Sequence, residues 1–243
     1  MVIYYEPLLV VLSIVVAIIG SLTSLAVTSA SHNVDDDESW EAGFALANGG
    51  LIMGTTIWSM HFVAMMAVQF RVLINYNIVE TILSIVIAMS VTATGLFIVS
   101  NHRLGHFSIP GAGVLMGLGI ASMHYLGMGA IRGCGLSYDP ALVAASIAIA
   151  IAASMAALWF AFHKRSVVTT LAGGLVQGLA IASMHYTAMA ATNFIPLDAP
   201  AGLTTPLFSP NLLAFTIAGA VLVLCTGNLA LFGFMSLQQK RVV

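Results

Sequence analysis

Ser59-Met60-His61-Phe62-Val63-Ala64-Met65, Ser122-Met123-His124-Tyr125-Leu126-Gly127-Met128 and Ser183-Met184-His185-Tyr186-Thr187-Ala188-Met189 repeat one pattern: Ser-Met-His, an aromatic ring, two variable residues and a second Met. The histidines are 63 and then 61 residues apart. Upstream the match stays in step, with Ile57, Ile120 and Ile181 four residues before the histidine, Gly54, Gly117 and Gly178 seven before, and Gly50, Gly113 and Gly174 eleven before. This is an internal repeat. On a helix turning about 100° per residue, the two glycines, the Ile, the His and the second Met fall within roughly 40° of one line. The Ser and the first Met point elsewhere.

Composition defines the medium around that stripe. Of the 243 residues, 60% are hydrophobic and 7% charged, and the mean hydropathy is +1.02. The chain therefore reads as an integral membrane protein embedded in a lipid bilayer. A net charge of −2, spread over loops, indicates no nucleic-acid partner. Met1 to Glu6 lacks the basic start and small-residue cleavage site of a signal peptide, so the apolar run from Leu8 to Ala30 is expected to be a retained first helix. Further runs at about 43–69, 78–100, 109–131, 141–162, 168–192 and 211–235 meet the roughly 20-residue requirement for a span. The fold expected is all-α, with seven transmembrane helices in one domain covering residues 1–243.

Arg103, Lys164, Arg165, Lys240 and Arg241 would lie on one side of the membrane and only Arg71 and Arg132 on the other. That excess places the N-terminus outside and the C-terminus in the cytoplasm, with the acidic loop Asp35 to Glu38 inside as a solvated connection. Ser13-Ile14-Val15-Val16-Ala17, Ser84-Ile85-Val86-Ile87-Ala88 and Ser146-Ile147-Ala148-Ile149-Ala150 echo one another in the odd-numbered spans. The unit is then a two-helix hairpin, repeated over about 7–70, 78–132 and 140–193, followed by a seventh helix at about 211–235. Units with an even number of spans enter the membrane in the same direction, so the repeats are parallel. All three histidines then face one side of the bilayer, about 12–15 Å from its outer flank at 1.5 Å per residue.

The glycine pairs have the GxxxG spacing that permits close backbone approach. If the even helices pack together through them, the histidines share one interior. Ionisable groups inside a membrane are costly and usually functional. Three at one depth, on one face and at one repeat position are expected to converge on a shared metal site.

With these motifs and seven spans, the chain resembles the MHYT integral-membrane sensor domain of bacterial signalling proteins, and the resemblance covers nearly its whole length. The resemblance implies a non-enzymatic sensory region in the bacterial inner membrane, acting with a cytoplasmic output domain in cis or trans, such as one turning over cyclic di-GMP. It implies a bound metal, copper foremost, and through it a response to oxygen, carbon monoxide, nitric oxide or the metal itself. Carried over by motif, the implied ligands are His61, His124 and His185, with Met60, Met65, Met123, Met128, Met184 and Met189 as candidate partners. This sequence departs from the family pattern at Phe62, which replaces Tyr, and at Val63 and Leu126, which replace Thr. A homodimer is left open.

Ligand chemistry leads to a similar metal. Imidazole and thioether suit copper, and thioether softness favours Cu(I). A divalent zinc held by neutral ligands would leave about two uncompensated charges in low dielectric, although three histidines with an open position also match catalytic zinc. A transporter of metal ions and a haem-binding electron carrier are alternatives. In the latter, two histidines would ligate iron and Arg71 and Arg132 would meet the propionates.

Other residues read as structural. His32, His102, His106 and His163 belong to solvated loops, Trp58 is bulk facing lipid or core, and Asn228 is expected to hydrogen-bond across helices rather than contact the site. Cys134 and Cys225 lie at different depths and are not expected to pair. The Pro-rich segment 193–210 reads as a connector.

Overall fold

A computed structural model of the chain describes residues 4–30, 40–70, 72–101, 108–163, 166–197 and 209–242. His32, Asp35 to Glu38, Arg71, His102, Arg103, His106, Lys164, Arg165 and most of the Pro-rich segment lie outside the described residues.

Among the described residues, seven helices are long and apolar enough to cross a membrane. They are α1 (Pro7–Ala30), α2 (Trp40–Met66), α3 (Ile78–Ser100), α4 (Ser108–Gly129), α5 (Pro140–Phe162), α6 (Val167–Ala190) and α7 (Pro210–Val242). Helices are the expected solution here because hydrocarbon offers backbone groups no partner except one another. Their starts carry recognisable signals. Asn77 and Asp139 accept the first free N–H groups of α3 and α5, Ser166 forms a capping box with Thr169, and proline opens α1, α5 and α7. Helix α7 extends beyond the expected end at 235, through Lys240 and Arg241. Charged residues there do not stop a helix, since only the hydrophobic run ends.

Helices α1 to α6 form a closed ring in chain order, with α6 returning to α1, while α7 packs outside the ring against α1 and α2. The even helices pack mainly on odd ones, not on each other. Their glycines explain why. A Cβ added at Gly54 would lie 2.5 Å from Met89 Cα of α3, at Gly117 2.5 Å from Ile151 Cα of α5, and at Gly178 2.6 Å from Ile18 Cα of α1. Gly50, Gly113 and Gly174 meet Ala93, Met155 and Leu22 one turn further along the same seams. The expected even-to-even glycine packing is therefore corrected: each glycine pair seats the odd helix next round the ring.

Short antiparallel ribbons close one face of the membrane-spanning bundle. Strand β1 (Tyr4–Tyr5) pairs with β2 (Val68–Gln69), β3 (Asn75–Tyr76) with β4 (Ile131–Arg132), and β5 (Cys134–Tyr138) with β6 (Thr192–Pro196). Each ribbon joins the entry of a hairpin to its own exit. Alongside, the N–H groups of Glu6, Asn77 and Asp139 donate to the carbonyls of Ala67, Ala130 and Ala191, each at 2.8 Å. These alanines stand six residues after the three histidines. The bundle thus has approximate threefold symmetry about its axis.

Candidate metal centre

Helices α2, α4 and α6 end at Met66, Gly129 and Ala190, five residues beyond His61, His124 and His185. At 1.5 Å per residue this sets each histidine about 7.5 Å below the ribbon face. The three imidazoles meet on the ring axis, His61 1% exposed and the other two 0%. His61 Nδ1 lies 3.1 Å from His124 Nδ1 and 3.2 Å from His185 Nδ1. Ring centroids are 4.8–5.2 Å apart, and one nitrogen from each ring falls within 4.8 Å of the others.

The trio is closed on itself. Its Nδ1 atoms face one another, and every Nε2 is buried with no hydrogen-bond partner among the described residues. A neutral imidazole nitrogen either donates one hydrogen bond or accepts one, so His61 Nδ1 cannot satisfy both neighbours. A cation can take all three lone pairs together. Nitrogens about 2.0 Å from a metal at a tetrahedral angle would be about 3.3 Å apart, close to the two distances from His61. The donor set fits a small metal ion.

The candidate methionines separate into two groups. Met65, Met128 and Met189 cluster with Val68, Ile131, Cys134 and Phe194 under the ribbons. Met60, Met123 and Met184 are buried in the main core of the ring. Gly127 holds a different place: a Cβ there would lie 2.5 Å from His61 Nε2, so glycine makes room for that ring.

Each histidine is braced by its aromatic neighbour, edge to face, with Phe62, Tyr125 and Tyr186 at 4.9–5.0 Å. The tyrosines reach across the glycine seams. Tyr125 Oη is 2.8 Å from Ser146 Oγ and Tyr186 Oη 2.9 Å from Ser13 Oγ. Because Ser146 and Ser13 donate to the carbonyls of Val143 and Val10, the phenols are the donors in these bonds. Phe62 lacks a hydroxyl, and the missing bond is made by Trp58, whose indole N–H donates to Ser84 Oγ at 3.0 Å. Trp58 is thus a hydrogen-bonding bridge between α2 and α3, which corrects its reading as bulk. The signal in the sequence was the serine echo of the odd helices, at the depth of the motif aromatics.

Arg132 forms an ion pair with Glu80 at 2.7 Å, so it is already engaged and a poor match for a propionate. Three rings packed edge to face also close the space a porphyrin would need. Haem does not fit this centre. Cys134 and Cys225 are both free and buried. Asn228 Nδ2 donates within its own helix, to the Leu224 carbonyl four residues back, which corrects the expected bond across helices.

Fold and centre together define a multi-pass, seven-helix membrane protein with a buried trio of histidines supplied by three repeats. The chain belongs to the MHYT family, described as "Bacterial signalling protein N terminal repeat", whose model matches residues 54–111, 117–174 and 178–243. Among curated proteins it is 40% identical over 196 residues to the bifunctional diguanylate cyclase/cyclic di-GMP phosphodiesterase MucR of Pseudomonas aeruginosa, covering 78% of this chain and 28% of that protein. It is 37% identical to signaling protein YkoW of Bacillus subtilis, covering 82% of this chain and 25% of the relative. With the cyclic di-GMP phosphodiesterase NbdA of Pseudomonas aeruginosa the identity is 35%, over 84% and 26% of the two chains. The chain spans about a quarter of the length of these relatives. No solved structure matches it.

Proposed function

We propose that this chain is a single sensory membrane domain, residues 1–243, that holds one metal ion, copper in the first place, between His61, His124 and His185. The observation that carries the reading is the convergence of three buried imidazoles from repeat-equivalent helix positions, with His61 Nδ1 3.1 Å from that of His124 and 3.2 Å from that of His185 and one nitrogen from each ring within 4.8 Å of the others. Met65, Met128 and Met189 on the ribbon side, four residues after the histidines, and Met60, Met123 and Met184, one residue before them, are the repeat-equivalent soft donors. With no carboxylate in the cluster, Cu(I) leaves one uncompensated charge where a divalent ion leaves two. The bound ion would supply an open coordination position for a diatomic gas, or be the signal itself.

The ribbon face is taken as the outer one and the C-terminus as cytoplasmic, on the lysine and arginine asymmetry of the loops. Enzymes of cyclic di-GMP turnover among the relatives support a cytoplasmic output of that kind. The seven described helices run unbroken, unlike the discontinuous helices typical of transporter sites. The test is metal analysis, absorption and X-ray absorption spectroscopy of purified wild type and of H61A/H124A/H185A. A nitrogen-coordinated copper, lost in the folded variant, is expected. Equal copper content with an unchanged nitrogen shell in both would refute the centre.

A further inference from the structure

Eight residues before each motif histidine stand Met53, Met116 and Gln177. All three line one cavity of about 20 Å³, to which every helix of the ring contributes, with Ser24 and Thr28 from α1, Thr92 from α3 and Leu158 from α5. At 1.5 Å per residue the cavity lies about 12 Å below the histidines. Met53 is 13 residues from either end of α2, so this level is the middle of the span.

Three of the polar lining groups each donate a proton to a backbone carbonyl. Ser24 Oγ donates to the Gly49 carbonyl at 2.8 Å, Thr92 Oγ1 to the Gly50 carbonyl at 2.6 Å, and Gln177 Nε2 to the Ala157 carbonyl at 3.2 Å. Gln177 is 2% exposed, and its Oε1 has no partner among the described residues. The cavity keeps that amide oxygen, hydroxyl lone pairs and two thioethers, beside the second Gln177 Nε2 proton and the Thr28 hydroxyl. An unpartnered buried amide oxygen calls for a cation or a hydrogen-bond donor, and a buried polar side chain at mid-membrane is expensive unless it has a function. None of the lining residues is acidic, which disfavours a divalent ion. The paired thioethers select a soft one. The volume exceeds the roughly 10–15 Å³ needed by one water-sized occupant.

We propose that this cavity is a second cation site, taking a single soft monovalent ion of the Cu(I) type through Met53, Met116 and Gln177 Oε1. It stands whether or not the histidine centre above it holds an ion. Because all six ring helices border it, its occupancy bears on the whole ring, whereas the histidines come from the even helices alone.

The test uses the whole purified chain, titrated anaerobically with Cu(I) held by a competing chelator, and separately with Ag(I). Wild type is expected to bind two ions. M53L/M116L, a near volume-conserving change, is expected to bind one, with a nitrogen-rich shell by X-ray absorption. H61A/H124A/H185A should also bind one, with a sulfur-containing shell. Q177L should weaken the sulfur-coordinated ion at least tenfold and leave the other unchanged. If the histidine centre is wrong, wild type binds one ion and M53L/M116L none. The proposal is overturned if M53L/M116L binds as many ions as wild type, or if the histidine variant, still helical and monodisperse, binds none.

Discussion

Trp58 offers a direct test of how the ring is held together. Its indole N–H donates to Ser84 Oγ at 3.0 Å, replacing the tyrosine bonds of the other two repeats. W58F removes that donor and part of the ring contact with Phe62, now 4.6 Å between centroids. Interhelical hydrogen bonds within a membrane contribute about 0.6 kcal/mol on average and up to about 1.7. Ser84 keeps its own bond to the Thr81 carbonyl, so no donor is orphaned and the loss should stay in that range, plus a packing penalty. F62Y places a phenol where Tyr125 and Tyr186 have theirs, one residue after the histidine. In the W58F background it should restore the hydrogen-bond part of the loss but not the packing part. In the wild-type background Trp58 already occupies Ser84, so the buried hydroxyl is poorly satisfied and costs about 1–3 kcal/mol. Unfolding of the four proteins in detergent gives the coupling, with 1 kcal/mol corresponding to about 2–4 °C for a chain of this size. Additive effects of the two substitutions would refute the account of Trp58 as the substitute for a tyrosine hydroxyl.

Other outcomes follow from the same geometry. G117A should destabilise by about 1–3 kcal/mol, because the new Cβ meets the Ile151 backbone and neither side can yield by a rotamer change, whereas G111A, with nothing within 4 Å, should change the unfolding midpoint little. G127A should displace the His61 ring and weaken metal binding roughly 10–100-fold, by analogy with changes that disturb ligand orientation; titration with a competing chelator measures it, and unchanged affinity would contradict the placement of that ring. E80Q, breaking an exposed ion pair with Arg132, should cost under about 1 kcal/mol, and a larger loss would mean that the pair does more than tie β4 to α3. Burial pushes the Cys134 thiol above its ordinary range, so maleimide labelling at neutral pH should be slow in the folded protein and rapid after denaturation; fast labelling of folded protein would place Cys134 at the surface.

Much of this was legible in the chain because membrane helices are specified locally. Twenty apolar residues make a span wherever they occur, and a motif recurring at 63 and 61 residues puts equivalent groups at one depth. The histidine cluster followed from face and depth alone. What the sequence did not reveal was partnership. GxxxG tells that a backbone comes close, not whose, and the choice of odd over even neighbours is a property of the closed ring. The ribbons escaped notice because strands of two to five residues carry no periodicity, and their pairing is between segments about 60 residues apart. Trp58 was misread because its partner, Ser84, belongs to the next hairpin.

The ring has six seats, and α7 is a seventh helix of the same make. Pro210 opens it as Pro7 opens α1 and Pro140 opens α5, and Thr216 stands six residues on, where Ser13 and Ser146 stand. The family unit, counted from each glycine seven before the histidine, pairs an even helix with the odd helix after it, which would give α6 to α7. In space that seat against Gly178 is taken by Ile18 of α1. Thr216 is left exposed, its hydroxyl turned back to the Leu212 carbonyl. Helix α7 is therefore a spare copy of a ring element, excluded from the circle that its relatives close. A displacement of α7 against α1 and α2 would leave all six seams closed, which is true of no other helix.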